Sequence, residues 1–223
     1  MSLKLFAQAV IKYLSGLILA EIVLFVPAGT LHYRQAWLLI GILFISMFVI
    51  GLIMMKKKPM LLQKRLNARE EQGEQKEVVL LSGLMFLASF IAAGLSYRFG
   101  WFVLPMWASY VSGIIFLFAY ALYAEVLREN EYLSRTVEVQ ENQKVIDTGL
   151  YGIVRHPMYM STIILFLSMP LVLGSVAAFV IMLLYVPIIA KRIRNEEQVL
   201  EQNLEGYTDY KKRVKYKVIP FIW

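Results

Sequence analysis

Long apolar stretches are the feature that most constrains this chain of 223 residues. A bilayer core about 30 Å thick is crossed by roughly 20 apolar residues in an α-helix, which rises about 1.5 Å per residue. Four stretches have this character, and they cover residues 10–30, 36–55, 78–97 and 101–124. We therefore predict an all-α integral membrane protein, a polytopic helical bundle that forms a single membrane domain over residues 1–223.

A further apolar run covers residues 158–190 and is too long for one straight span, because as a single helix it would reach about 50 Å. Pro170 and Gly174, which are strong helix breakers, lie in its middle. We predict a C-terminal helical hairpin with its turn near residues 169–175. Both ends of such a hairpin return to the same side of the membrane.

The basic residues support this topology. The short connections at 31–35 and 96–100 hold one arginine each, whereas most of the remaining lysines and arginines lie in 56–77, 125–157 and 191–223. Since such residues concentrate on the cytoplasmic side, we predict a multi-pass protein with both termini cytoplasmic and with two further cytoplasmic segments, 125–157 and 191–223. The net charge of +7 then reflects contact with the membrane and implies no nucleic-acid partner.

Three local features accompany these spans. Segment 56–77 is basic and amphipathic at first and then polar, which predicts an interfacial piece followed by a loop. Segment 134–149 shows short alternation of apolar and polar residues, which favours extended structure over helix. Glu21 lies within the first apolar run, and an ionisable residue at membrane depth is a functional candidate.

Metal chemistry is disfavoured by the composition. Cysteine is absent and only two histidines are present. Disulfide frameworks, thiolate zinc sites and thiol nucleophiles are therefore excluded, and we expect no metal site.

The two ends of the predicted hairpin carry charges of opposite sign. Arg155 and His156 precede Pro157 at the entrance, and Glu196 and Glu197 lie at the exit. Proline suits the first turn of a helix, and helix N-termini favour anions. We predict a cytoplasmic cofactor pocket that binds a carboxylate at the first pair and a cation at the second. A ligand with both charges at one end is an amino acid or a derivative of one.

A glycine-tyrosine turn precedes this corner. Gly149 and Gly152 flank Tyr151 and would let the backbone approach a flat group, with the tyrosine ring available for stacking. Taken singly, the basic cluster is explained by a positive-inside anchor and the acidic cluster by a solvated helix face. Their placement at both ends of one hairpin favours a binding site.

At these residues the sequence resembles a known family. The matching text, "RTVEVQENQKVIDTGLYGIVRHPMY" and "RNEEQVLEQNLEGYTDYKKRVKYKVIPFIW", frames the hairpin within residues 135–223. It is similar to the integral-membrane isoprenylcysteine carboxyl methyltransferases and, more loosely, to the phospholipid N-methyltransferases. The family commonly has glycine where this chain has Ser161, so helix packing or acceptor access near that residue is expected to differ.

The resemblance implies an enzyme that uses S-adenosylmethionine to methylate a lipid-borne or hydrophobic acceptor, with a carboxylate favoured over an amine. It implies that His156 and Tyr159 contact the cofactor and that Glu196 and Glu197 bind its ammonium group. Arg155 would contact the cofactor or hold the acceptor carboxylate, which makes Arg155 and Glu197 the catalytic candidates. The adenine would lie at the turn formed by Gly149 and Tyr151.

Other functions stay open at this point. A phospholipid N-methyltransferase would need a base for its amine acceptor, for which Glu21, His156 or one of the two glutamates is a candidate. A membrane reductase of the sterol-reductase type would bind NADPH in a similar hairpin, but such enzymes tend to have asparagine where this chain has Met158. A non-enzymatic scaffold would spread polar residues along several spans, whereas here they concentrate in the C-terminal third.

Overall fold

A computed structural model describes residues 3–67, 73–133 and 139–223 of the chain. Residues 134–138, which begin the segment predicted to be extended, lie outside this range, and residues 139–148 are not helical. The described chain forms α1 (Leu3–Ala28), α2 (Arg34–Lys57), α3 (Pro59–Asn67), α4 (Gly73–Phe99), α5 (Met106–Glu129), a 3₁₀ helix (Gly149–Gly152), α6 (Pro157–Val172), α7 (Val176–Met182), α8 (Tyr185–Asn203) and α9 (Tyr207–Arg213).

The apolar helices confirm the prediction of an all-α, multi-pass membrane protein. Five of the described helical stretches are long and apolar enough to cross a bilayer, and α6 is a shorter apolar helix. The four predicted spans correspond to α1, α2, α4 and α5. Helix α5 begins at Met106, later than the predicted residue 101, because Pro105 precedes its first turn and the Leu104 N–H donates to the Gly174 carbonyl at 2.7 Å.

The predicted hairpin is present. Helix α6 ends at Val172, and Gly174 turns the chain with a φ of +71°, a conformation that favours glycine. The Ser175 hydroxyl then caps α7 by accepting from the Ala178 N–H. The second arm continues through α7 and α8 as far as Asn203, beyond the predicted limit of residue 190. Both glutamates of the predicted site therefore lie on α8.

The core lies between α1, α2, α4, α5 and α6. Its largest fully buried side chain is Tyr33, whose hydroxyl donates to the Leu173 carbonyl at 2.5 Å and so holds the hairpin turn against the first helices. Large apolar side chains also cover the outer surface, among them Ile11, Val26 and Ile114. Such a surface suits lipid, where apolar side chains need no protein partner.

The opposite end of the bundle, which we call the site end, holds the polar loops and the C-terminal tail. Helix α3 packs against the end of α5 through Leu61, Leu62 and Leu127. Just before α3, Lys58 Nζ donates to the Leu127 and Arg128 carbonyls at 3.1 and 2.7 Å. Helix α3 lies in the segment predicted to be interfacial, but the predicted polar loop there is partly helical because α4 already begins at Gly73. The C-terminal tail crosses the start of α6, where the Arg155 N–H donates to the Tyr216 carbonyl.

Candidate functional site

The two ends of the hairpin meet at the site end, where a buried charge cluster joins them. Arg155 Nε donates to Glu197 Oε1 at 2.8 Å, and His156 Nε2 lies 3.2 Å from the same oxygen. The side chains of Arg155, His156 and Glu197 are no more than 5% exposed. The predicted proximity of the two charged pairs is therefore observed.

The C-terminal tail completes this cluster. Lys217 Nζ lies 2.9 Å from Glu197 Oε2, so three basic side chains surround one carboxylate. Arg155 Nη1 donates to the carbonyls of Val214 and Lys215 at 2.7 and 2.8 Å. Buried charges are stable only when paired and hydrogen-bonded, and here the tail supplies much of the pairing.

A cavity opens beside the cluster and encloses about 860 Å³ of non-atom space, including its open mouth. Its wall carries groups of both signs and several aromatic rings. The basic and acidic residues are Lys144, Arg155, His156, Arg192 and Glu196, and the tyrosines are Tyr132, Tyr151, Tyr159, Tyr207 and Tyr210.

The two adjacent glutamates have different surroundings. Glu196 lines the cavity and accepts a hydrogen bond from the Tyr159 hydroxyl, which itself accepts from Arg192 Nε at 3.0 Å. Glu197 is absent from the cavity lining and is held by the basic cluster instead. The structure therefore places Glu196 at the cavity wall and Glu197 behind Arg155 and His156.

The glycine-tyrosine turn forms the 3₁₀ helix on another side of the cavity. Tyr151 lines it, and its hydroxyl accepts from Asn130 Nδ2 at 2.9 Å. Gly149 does not line the cavity: it has a φ of +49°, and a Cβ there would clash with the carboxylate of Glu129. Glu129 also accepts from the Thr148 hydroxyl, so Gly149 allows the turn to close over this carboxylate.

Three tyrosines at the site are protonated at neutral pH. Burial raises the pKa of Tyr151, Tyr207 and Tyr210 well above their ordinary value near 10. Their hydroxyls can therefore donate hydrogen bonds to a ligand or to the protein.

Sequence reasoning missed several residues of the site. Arg192, Tyr207 and Tyr210 line the cavity, and Lys217 pairs with Glu197. The Tyr-x-x-Tyr spacing of the C-terminal motif was a signal for the two tyrosines. By contrast, nothing in the sequence pattern distinguished Lys217 from the other lysines of the tail.

Two other residues singled out from the sequence lie away from the cavity lining. Glu21 is partly buried in α1. Ser161 is fully buried in α6, and its hydroxyl donates to the Met158 carbonyl at 2.8 Å. The serine is therefore accommodated within its own helix.

Comparison with known proteins agrees with the resemblance of the sequence. A model of the isoprenylcysteine carboxyl methyltransferase (ICMT) family matches residues 111–202. The Delta(14)-sterol reductase TM7SF2 of Mus musculus is 29% identical over 91 residues, which make up 40% of this chain but only 22% of the mouse protein. This chain therefore matches about a fifth of that relative's length.

A solved structure extends the likeness to the whole chain. The eukaryotic intramembrane Ras methyltransferase ICMT superposes with a TM-score of 0.59 at 16% sequence identity, covering 96% of this chain and 77% of that one. The two proteins share a fold. The matched residues 111–202 contain Arg155, His156 and both glutamates, so this part of the chain is similar to the isoprenylcysteine carboxyl methyltransferase family and lies within the same membrane fold.

Proposed function

We propose that the protein is an S-adenosylmethionine-dependent methyltransferase that methylates the carboxylate of a lipid-borne or hydrophobic acceptor. One observation carries this proposal. Basic side chains (Arg155, His156, Arg192) and the carboxylate of Glu196 line a single cavity between the ends of a membrane hairpin. A ligand that carries an α-carboxylate and an α-ammonium group fits such a wall. The similarity to the isoprenylcysteine carboxyl methyltransferase family supports a methyl donor as that ligand.

The donor set fits the cofactor. Arg155 and His156 would hold its α-carboxylate, Glu196 would accept from its ammonium group, and Tyr151 would lie against its adenine. In the described chain, Arg155 Nη2 has no hydrogen-bond acceptor although Nε and Nη1 do, which leaves a donor for a ligand. When bound, the cofactor supplies an electrophilic methyl group carried on a sulfonium.

We assign Glu197 a positioning role, which modifies the role that the resemblance implies. Its carboxylate orients Arg155 and His156 from behind, at 2.8 and 3.2 Å, and is itself shielded from the cavity. Removing it would leave two buried basic side chains with fewer partners. We therefore expect its loss to disturb the site through these two residues.

A carboxylate acceptor would not require a general base. Its ordinary pKa is about 4, so it is already ionised at neutral pH. The protein would have to align the acceptor and exclude water. Alignment of well-oriented groups can lower an activation barrier by about 7–11 kcal/mol. Arg192 lies on α8 one helical turn before Glu196 and faces the same cavity, and we assign it to the acceptor carboxylate.

The acceptor enters from the membrane in this proposal. Met158, Leu133 and Val199 add apolar surface to the cavity wall, which suits a hydrocarbon chain. A carboxylate-bearing prenylated cysteine is the first acceptor to test, because the family and the structural relative are named for that chemistry. The concentration of lysine and arginine at the site end further supports a cytoplasmic site with both termini on the same side.

A second candidate function is an NADPH-dependent reductase. The match to Delta(14)-sterol reductase favours it, since that match covers 91 residues of this chain. Met158 argues against it, because reductases of this type tend to have asparagine there. The two functions differ in the nucleotide that binds to the cavity.

The experiment is ligand binding by the purified protein in detergent. S-adenosylmethionine and S-adenosylhomocysteine should raise the unfolding free energy by about 2.7 kcal/mol at a concentration of 100 Kd, whereas NADPH should not. Labelled methyl transfer should then proceed to an S-prenylated cysteine with a free carboxylate. The same compound already methylated on its carboxylate serves as the matched control, and phosphatidylethanolamine tests the amine alternative. Stabilisation by NADPH but by neither adenosyl compound would overturn the methyltransferase proposal.

A further inference from the structure

Tyr207 differs from the other buried tyrosines of the cavity. Its side chain lines the cavity and is 4% exposed, yet its hydroxyl has no hydrogen-bond partner among the residues that the structure describes. Tyr210 donates to the Tyr151 carbonyl at 2.8 Å, Tyr151 accepts from an asparagine amide, and Tyr159 contacts Glu196. Buried hydroxyls are normally paired, so the hydroxyl of Tyr207 requires an explanation.

The position of this hydroxyl is fixed by packing. Gly206 turns the chain into α9 with a φ of +80°, and Tyr207 then packs with Leu204, Tyr210 and Val214 in one buried cluster. The ring therefore cannot easily rotate to find a protein partner. A group that is rigidly held, buried and unpaired beside a cavity is suited to meet a partner that arrives with a ligand.

The chemical surroundings indicate which part of a ligand it would meet. Glu196, Glu197 and Arg155 are the charged residues that act electrostatically on Tyr207, which places it at the charged corner of the cavity. Its pKa is raised by burial and by these carboxylates, so the hydroxyl stays protonated and is a donor. Neither carboxylate accepts a hydrogen bond from the Tyr207 hydroxyl in the described structure, so a ligand in the cavity can supply its acceptor.

We propose that Tyr207 is a further cofactor-binding residue, whose hydroxyl donates a hydrogen bond to the α-carboxylate at the amino acid end of the methyl donor. This inference rests on the proposed function and deepens it. It adds to the cavity a neutral donor beside the basic pair Arg155 and His156. It also gives the C-terminal segment after residue 202, which lies outside the family match, a direct part in ligand binding.

The test compares two ligands on two variants. S-adenosylhomocysteine carries the amino acid end, whereas 5′-deoxy-5′-methylthioadenosine keeps the nucleoside and lacks that end. In a calorimetric titration, Tyr207→Phe should lower the affinity for S-adenosylhomocysteine about tenfold or more, as expected when a hydrogen bond to a charged group is lost. The affinity for methylthioadenosine should stay unchanged. Without ligand, its thermal midpoint should equal or exceed that of the wild type, because no hydrogen bond is lost.

Tyr210→Phe is the matched control, since it removes a hydroxyl that is already bonded within the protein. It should lower the thermal midpoint of the ligand-free protein. Equal S-adenosylhomocysteine affinity in Tyr207→Phe and wild type would overturn the inference while leaving the proposed function intact. The inference would also be overturned if the affinities for both ligands fell equally, or if the ligand-free Tyr207→Phe protein were less stable than the wild type. If the wild type bound neither S-adenosylmethionine nor S-adenosylhomocysteine, the proposed function would be overturned, and the inference with it.

Discussion

Replacing Glu197 by glutamine tests whether the buried cluster holds the site together. The carboxylate lies 2.8 Å from Arg155, 3.2 Å from His156 and 2.9 Å from Lys217, and its side chain is 5% exposed. Breaking a buried pair by removing one partner costs about 3–5 kcal/mol. Glutamine keeps one oxygen as acceptor, and Arg155 keeps its two backbone carbonyls, so we expect Glu197→Gln to cost about 2–4 kcal/mol.

The assay is thermal unfolding of the ligand-free protein in detergent. For a chain of this size each kcal/mol lowers the thermal midpoint by roughly 2–4 °C, so a loss of about 3 kcal/mol predicts a decrease of roughly 6–12 °C. Glu196→Gln is the matched control, because Glu196 is the adjacent residue on the same helix but faces the cavity. It should change the midpoint by less than about 3 °C, as expected for a group outside the buried cluster.

Ligand affinity should show the complementary pattern for this pair. Glu196→Gln removes the carboxylate that we assign to the ammonium group of the cofactor, so it should lower the affinity for S-adenosylhomocysteine by about tenfold or more. Two results would refute this division of roles. One is a Glu197→Gln protein with an unchanged midpoint, and the other is a Glu196→Gln protein that is destabilised as strongly as its neighbour.

The remaining predictions concern the residues that support the cavity. Lys217→Met should lower the thermal midpoint by less than Glu197→Gln does, because Lys217 is partly exposed and is one of three basic side chains on that carboxylate. Lys217→Arg should largely restore the midpoint. Gly149→Ala should lower the free energy of unfolding by at least about 1–2 kcal/mol, because of backbone strain at positive φ, and should weaken ligand binding because its Cβ displaces Glu129 at the turn beside the cavity. Gly100→Ala also has a positive φ but lies in open space at the end of the bundle away from the site. In thermal unfolding and in ligand titration it should lower stability alone. The free energy of unfolding should fall as pH rises above about 10, because the buried tyrosines of the folded site keep their protons while those of the unfolded chain ionise. Tyr207→Phe should reduce this loss, as measured by thermal unfolding from pH 8 to 11.

The spans and the hairpin were predictable from the sequence because their signals are local. Twenty apolar residues in a row specify a crossing, and Pro170 with Gly174 specifies where the last run must turn. The start of α5 was predicted too early because Trp101 and Phe102 are apolar like the helix that follows. Pro105 before the first turn, together with the bonds between this connection and the hairpin turn, separates it from that helix.

The site was predictable in part. The meeting of Arg155 with Glu197 followed from topology alone, since a hairpin brings its two ends together. The difference between Glu196 and Glu197 could not be deduced in this way. The two carboxylates are about 100° apart around one helix, and which of them faces the cavity depends on the rotation of α8, which tertiary packing sets.

The C-terminal tail shows why a family match over residues 111–202 describes this site incompletely. The match includes the charged pairs but ends before Tyr207 and before Lys217, and before the carbonyls of Val214 and Lys215 that hold Arg155. Because Arg155 is buried, its guanidinium keeps one orientation only while these acceptors are present. The tail therefore determines where the cation points, although the motif supplies the cation. A chain with the same motif and a different tail would therefore present its arginine differently.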